Sequence, residues 1–332
     1  MKFSAGIIGA GAWGTALAQT IALSDQSAHL WCYEEFICKD INKNKKNKYL
    51  PEIDIAETVL ATHSLKDIVD QNKILFLAMP TQYYTEILSQ INSYVTDGHY
   101  LIICSKGFRP SDGALLSDVI EEVLTHKPQI GVLSGPAFAK DLATGKPCML
   151  TISSTDETLI QKVSDTLKYE KLRIYHNNDI VGSQIGAALK NIIAIAAGIS
   201  DALMLGESVR AAIICRGLKE IERFACAYGA KPETIYGLAG LGDSVLTASS
   251  RTSRNYDFGY FLGQGFSAQD AIKKINGYIE GLNTTRIVTT KALSQGIDLA
   301  IFAALDGVIQ GDIKAKNVIE ILMQRPRTHE SD

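Results

Sequence analysis

From residue 3 to residue 176 the chain repeats one rhythm, in which a short run of β-branched, aliphatic or aromatic residues gives way to a stretch of helical periodicity. The runs are "FSAGIIG", "AHLWCY", "ETVLAT", "KILFLAM", "HYLIICS", "QIGVLSG", "CMLTIS" and "LRIYH". Helix-like patterns stand between several of them, at 13–23, 82–94 and 113–125. Strands alternating with helices are βαβ units. Strands apolar at nearly every position are buried on both faces, so the expected fold is an α/β, Rossmann-like domain with a mostly parallel doubly wound sheet. In such a sheet ligands gather beyond the carboxyl ends of the strands, and the residues that close each run become the candidates for chemistry.

After His176 the rhythm stops. From Asp179 onward, alanine and isoleucine recur at helical spacing, punctuated by Gly229, Gly240, Gly242, Gly263 and Gly265. This predicts an all-α C-terminal domain and a boundary at "HNND" (176–179), giving a Rossmann-like domain over 1–178 and a helical domain over 179–332. At 332 residues with 46% hydrophobic content, the chain can fill two ordinary cores. The stretch "IGAALKNIIAIAAGISDALML" (185–205) is long enough to cross a bilayer, but Lys190 and Asn191 in its midst predict a buried helix with a functional polar pair, and no integral membrane span.

Charge and cysteine usage narrow the functional classes. A formal net charge of -3 gives no general attraction for nucleic acid or anionic lipid, so any anion site must be local. Cys32, Cys38, Cys104, Cys148, Cys215 and Cys226 form no Cys-x-x-Cys pair, which fits a reduced, cytoplasmic protein with no metal site. Glycines interrupt "MKFSAGIIGAGAWG", so no secretory signal core is expected at the N-terminus. The lysine-rich "NKNKKNK" (42–48) reads as a solvated loop.

The first run ends in "GIIGAGAWGTALA" (6–18), where Gly9, Gly11 and Gly14 spell G-x-G-x-x-G. The pattern gains force because it closes a strand and opens a helix. Gly9 permits the tight turn, Gly11 lets the backbone approach a pyrophosphate, and Gly14 lets the helix pack closely on the strand. The next run ends in "WCYEEF", which places Glu34 about 20 residues beyond the last glycine, where an acid accepts a hydrogen bond from the adenosine ribose. Glu34 and Glu35 would repel a 2′-phosphate and favour NAD, while Lys39 nearby leaves NADP open.

Three later runs end in polar or turn residues: "FLAMPT" at Met79 and Pro80, "LIICSKG" at Lys106, and "GVLSGPAFA" at the turn 134–138. In the helical half, Lys190 sits among alanine, leucine and isoleucine, whose desolvation favours the neutral amine and suits it to proton transfer. A cation such as Lys106, if close, pushes the same way, and a carboxylate pushes back. The segment 237–259 collects Asp243, Arg251, Ser253, Arg254 and Asn255, donors and a carboxylate suited to phosphate recognition. Glu280 precedes Gly281 with no assignment from spacing alone.

Eight motifs in order, "GAGAWGTALA" (9–18), "YLP" (49–51), "SKG" (105–107), "SGPAFA" (134–139), "LKNIIAIAAG" (189–198), "AGLGD" (239–243), "SRN" (253–255) and "EG" (280–281), make the chain resemble the bacterial-type NAD(P)-dependent glycerol-3-phosphate dehydrogenases over nearly its full length. The resemblance implies interconversion of dihydroxyacetone phosphate and sn-glycerol 3-phosphate with NAD or NADP, in the service of glycerophospholipid synthesis. It implies Lys190 as proton donor and acceptor. Lys106, Gly135, Ala137, Asn191, Asp243, Ser253, Arg254 and Asn255 fall at substrate positions, with Asn191 and Asp243 as candidates to hold the amine. Gly9, Gly11, Ala12, Trp13, Gly14, Glu34, Lys106, Ala139, Arg254 and Glu280 fall at cofactor positions. Ala137 stands where the family commonly has a hydroxyl residue, so a contact there would use the backbone. The resemblance leaves a homodimer open.

Two rival classes fit less well. β-Hydroxyacid dehydrogenases usually place an asparagine four residues after their lysine, whereas Asn191 follows Lys190 directly and Ala194 occupies the later position. A non-catalytic dinucleotide sensor would need the glycine loop but not Lys106, Lys190 and Asp243 together.

Overall fold

The structure is a computed structural model and describes residues 4–275, 277–326 and 329. Residues up to Arg109, with Ala114–Ile180, form one compact unit; Pro110–Gly113 and the residues from Val181 onward form the other.

In the first unit each of the eight apolar runs falls on a strand: β1 (Ser4–Ile8), β2 (Ser27–Trp31), β3 (Val59–Thr62), β4 (Ile74–Leu77), β5 (Tyr100–Ile103), β6 (Gln129–Ser134), β7 (Cys148–Ser153) and β8 (Leu172–Asn177). They form one sheet in the order β3-β2-β1-β4-β5-β6-β7-β8. All pairings are parallel except β6 with β7, so the sheet is mostly parallel, as expected. The order reverses direction between β1 and β4, which makes the end of β1 the switch point where a ligand crevice forms.

Alternation along the strands sends side chains to two cores. Ile7, Leu30, Phe76 and Ile102 face one, while Ile8, Trp31, Leu75, Leu77 and Ile103 face the other. Helices α1 (Ala12–Leu23), α2 (Glu35–Asn44) and α7 (Glu157–Thr166) cover the first. Helices α3 (Leu65–Gln71), α4 (Tyr84–Ile91) and α5 (Leu116–Val123) cover the second. Burial on both faces holds for the central strands; the edge strand β8 is buried only at Leu172. Because β7 runs back against β6, the link 135–147 with its short helix α6 (Ala139–Ala143) stays at the carboxyl end of β6, beside the ligand-binding edge.

The second unit is helical: α8 (Ile180–Ala202), α9 (Glu207–Ala227), α10 (Pro232–Ile235), a π-helical turn (Leu238–Gly242), α11 (Asp243–Ala248), α12 (Arg254–Gly263), α13 (Ala268–Lys273), α14 (Glu280–Gln295), α15 (Ala300–Gln310) and α16 (Val318–Met323). The bilayer-length stretch lies largely in α8, and its most apolar window is 89% buried inside the protein. It is a core helix, held by contacts that only glycine allows. A Cβ on Gly198 would stand 2.0 Å from the Tyr256 carbonyl oxygen, and one on Gly259 would stand 1.9 Å from that of Ile195. Helices α8 and α12 therefore touch backbone to backbone.

Candidate active site

The glycine loop has the geometry that an anion site requires. Gly9 adopts φ +118°, and a Cβ there would stand 2.8 Å from the Ala78 carbonyl carbon, at the end of β4. A Cβ on Gly14 would come within 1.9 Å of the Gly9 carbonyl oxygen, so this glycine lets the helix begin against the strand. Gly11 is different: a Cβ there meets nothing within 4 Å. The space in front of its backbone is open. Helix α1 starts there with no capping side chain and no acid in its first turn, which leaves its amides and its positive dipole end for an anion. Trp13 adds a buried indole N–H with no hydrogen-bond partner, and Lys106 Nζ lies 6.0 Å from the centre of the Trp13 ring. An open glycine, uncapped amides and an orphaned buried donor fit a dinucleotide pyrophosphate.

Beyond the end of β2 two neighbouring segments meet. Glu34 follows β2 as the N-cap of α2. Its carboxylate accepts a hydrogen bond from the Tyr49 hydroxyl at 2.6 Å and another from Lys48 Nζ at 3.4 Å. That donation holds the Tyr49 phenol protonated by raising its pKa above the ordinary value. The segment 42–48 is not simply the solvated loop its lysines suggest. Residues 42–44 belong to α2, and Asn47 is almost fully buried at 1% exposure. Its amide donates to the Ala10 carbonyl at 2.9 Å and the Thr15 hydroxyl at 2.8 Å, clamping the glycine loop. An asparagine within a lysine run was the available sign that one position turns inward.

Beyond β5, Ser105 Oγ donates to the carbonyls of Leu77 and Met79, pinning the turn that carries Lys106. Gly107 and Gly135 both have φ near +140°, at +139° and +141°, which other residues rarely adopt. Gly135 begins the turn through Ala137 to Ala139, the first residue of α6. The Ser134 hydroxyl beside it is buried without a partner.

In the helical unit, Lys190 projects from α8 and Asp243 begins α11. Lys190 Nζ donates to Asp243 Oδ1 at 2.9 Å, and their side chains are 6% and 1% exposed. Two glycines permit this approach. A Cβ on Gly186 would stand 3.2 Å from the Gly240 Cα, and one on Gly240 would strike the Ile235 carbonyl oxygen at 2.0 Å. The Asp243 carboxylate thus holds the Lys190 amine in place where almost no water reaches it.

A chain of amides lies beside that pair. Asn255 Nδ2 donates to Asn191 Oδ1 at 3.0 Å, and Asn255 Oδ1 accepts from the Gly281 amide at 2.9 Å. Asn191 Nδ2 reaches Glu280 Oε2 at 3.4 Å. Residues from α8, α12 and α14 are thus brought together, including the sequence-predicted Asn191, Asn255 and Glu280. Ser253 caps α12 by accepting from the Tyr256 amide. Arg254 is exposed beside Gly277, where a Cβ would stand 2.4 Å from Nη1 of the guanidinium. Arg251 is engaged with Asp257 at 2.9 Å. Sequence patterning does not single out Ser244, whose buried hydroxyl next to Asp243 has no partner.

Both halves of the chain have counterparts among known proteins. The family model described as NAD-dependent glycerol-3-phosphate dehydrogenase N-terminus matches residues 4–160, and the corresponding C-terminus model matches residues 179–320. The glycerol-3-phosphate dehydrogenase [NAD(P)+] of Novosphingobium aromaticivorans is 37% identical, over 100% of this chain and 99% of its own length. That of Maricaulis maris is also 37% identical, over 99% of this chain and 98% of its own. The crystal structure of the Coxiella burnetii glycerol-3-phosphate dehydrogenase superposes with a TM-score of 0.93 at 32% identity, covering 98% of this chain and 99% of that one. With both halves matched and the relatives alike from end to end, the chain belongs to the NAD(P)-dependent glycerol-3-phosphate dehydrogenase family.

Proposed function

We infer that the protein reduces dihydroxyacetone phosphate to sn-glycerol 3-phosphate, and runs the reverse reaction, with NAD(H) or NADP(H). The observation that carries the reading is the buried Lys190–Asp243 pair, a positioned proton donor in a chain of this family. When bound, the reduced nicotinamide supplies the hydride for the carbonyl carbon. The glycine loop, Trp13 and Lys106 hold the cofactor, and Glu34 holds its adenosine ribose.

Charge then develops on the ketone oxygen. Lys190 delivers a proton to that oxygen as an alcohol forms, and takes one back in the reverse direction. Asp243 keeps the amine aimed and charged before transfer, and bulk water restores the proton afterwards. Arg254 holds the substrate phosphate through its guanidinium, with Ser253 and Asn255 fixing the first turn of α12 beneath it. Phosphate binding remote from the reacting carbon orients that carbon, so an unphosphorylated ketone loses turnover as well as affinity. Lys106, the backbone at Gly135 and Ala137, and Asn191 complete the substrate contacts in this reading, and Ala12, Ala139 and Glu280 those of the cofactor. A role in glycerophospholipid synthesis, a cytoplasmic location and a homodimer belong to the same reading; cell fractionation and light scattering test the last two.

The experiment follows NADH and NADPH oxidation separately with dihydroxyacetone phosphate and with dihydroxyacetone. Rapid oxidation with the phosphorylated ketone alone supports the assignment. A preference for a hydroxy-acid precursor, or cofactor binding without turnover of any ketone, overturns it.

A further inference from the structure

A lone carboxylate at the end of the second strand excludes a 2′-phosphate by repulsion. Glu34 is not alone. Tyr49 donates to its Oε1 at 2.6 Å, and Lys48 Nζ stands 3.4 Å from the same oxygen. Lys48 is held there by two aromatic faces, 4.5 Å from the centre of the Phe36 ring and 4.7 Å from that of Tyr49. The pair nevertheless stays open to water, with the Lys48 and Glu34 side chains 49% and 29% exposed.

The segment bearing Lys48 is part of the cofactor crevice. Asn47 bonds the glycine loop through Ala10 and Thr15, and its Oδ1 accepts from the Tyr49 amide at 3.0 Å. Lys48 sits between these two anchored residues. Three of the neighbouring lysines are committed elsewhere: Lys39 to Glu35, Lys45 to Glu57 and Lys46 to Asp54, at 2.8, 3.0 and 2.6 Å. Lys48 instead shares its acid with a phenol that can hold the acid without it.

We propose that Lys48 is the cofactor-specificity residue of this chain, leaving Glu34 to pair with a 2′-phosphate when NADPH binds while Tyr49 keeps the carboxylate turned aside. With NADH the triad stays closed and Glu34 accepts from the ribose hydroxyl. One site thus serves both dinucleotides through a change of partner at a single ammonium. The inference rests on Glu34 marking the ribose, as the proposed function has it.

The test is direct binding to the full-length protein, by calorimetry, of NADH, NADPH, adenosine 2′,5′-bisphosphate and 5′-AMP. Lys48→Ala is expected to shift the NADPH-to-NADH affinity ratio toward NADH by about tenfold or more, the worth of one charge-assisted hydrogen bond, and to weaken the bisphosphate relative to 5′-AMP equally. Glu34→Gln is expected to shift both ratios the opposite way. If Glu34→Gln moves the ratios and Lys48→Ala does not, the role of Lys48 is overturned while the ribose assignment stands. If neither substitution moves them, the ribose assignment itself fails and takes the proposal with it.

Discussion

Lys190 and Asp243 lie on different helices, 53 residues apart in sequence, yet meet at 2.9 Å with almost no access to water. Such a pair is costly to break and ambiguous to keep. Removing one partner strands a buried charge, at a typical cost of about 3–5 kcal/mol, which removing both does not incur. Asp243→Ala should therefore lower stability in urea titrations more than the Lys190→Ala/Asp243→Ala double variant does. A double variant as unstable as the sum of the singles would mean the two groups do not interact.

The same pair makes a kinetic prediction. Lys190→Ala should cut turnover at least about a hundredfold, as expected for loss of a positioned general acid, with NADH affinity nearly unchanged. Asp243→Asn, which keeps the shape and loses the charge, should lower kcat more than it raises KM. Stopped-flow turnover and equilibrium cofactor titration check both. Full turnover in Lys190→Ala removes this lysine from the proton path.

Gly11 and Gly14 separate binding from folding. The open space at Gly11 means that Gly11→Ala should melt like the unaltered protein but bind NADH at least about tenfold more weakly, because the new methyl enters the pyrophosphate position. Gly14→Ala has no such freedom, with the Gly9 carbonyl 1.9 Å from the new carbon, and should lose stability together with affinity. Thermal melts beside calorimetric titrations distinguish them, and undiminished affinity in Gly11→Ala would move the cofactor elsewhere.

A glycine of the helical core and one in the turn before β5 carry a comparable contrast. Gly259→Ala should destabilise by about 1–3 kcal/mol or more, since its Cβ would overlap the Ile195 carbonyl and push α12 from α8. Gly98→Ala, whose new carbon would meet only Thr96 Oγ1 at 3.7 Å, should change the melting temperature little. Equal melting temperatures for the two variants would contradict the backbone contact.

Glu220 supplies a pH signature. Its carboxylate, on α9, accepts from the Ile301 and Phe302 amides at 2.7 and 3.1 Å, capping α15 where Leu299 has no side-chain acceptor. Burial pushes its pKa up from 4.5 to about 7, outweighing those two amide bonds. The folded state therefore holds this proton more tightly than the unfolded chain. Its contribution is fully present below about pH 4.5 and is lost as pH rises through about 7. The stability advantage of the unaltered protein over Glu220→Gln should shrink between about pH 5 and about pH 8 in urea titrations. An advantage that grows over this range would show that the carboxylate's bonds to the helix start outweigh its desolvation.

The strands and the glycine loop were legible because their signals are local. Eight apolar runs and a G-x-G-x-x-G between a strand and a helix need only neighbours in sequence to be read. The helical half was legible as a class, but its contacts were not. Asn191 and Asp243 both appeared as candidates to hold the Lys190 amine; Asp243 does so, while the Asn191 amide is engaged with Asn255 and Glu280. Asn47, read within a solvated lysine run, is a buried clamp on the glycine loop.

What the sequence by itself determined is the alternation that builds the sheet, the turn that opens α1 at its switch point, and the identity of the lysine surrounded by aliphatic residues. Tertiary structure alone decided which groups that lysine and Glu34 meet. Hydrophobic periodicity states which face of an element is buried, because burial depends on each residue's own transfer free energy. A hydrogen bond between distant side chains depends instead on how closely two backbones approach, and at Gly186, Gly240, Gly198 and Gly259 that approach is measured in fractions of an ångström that no local pattern encodes.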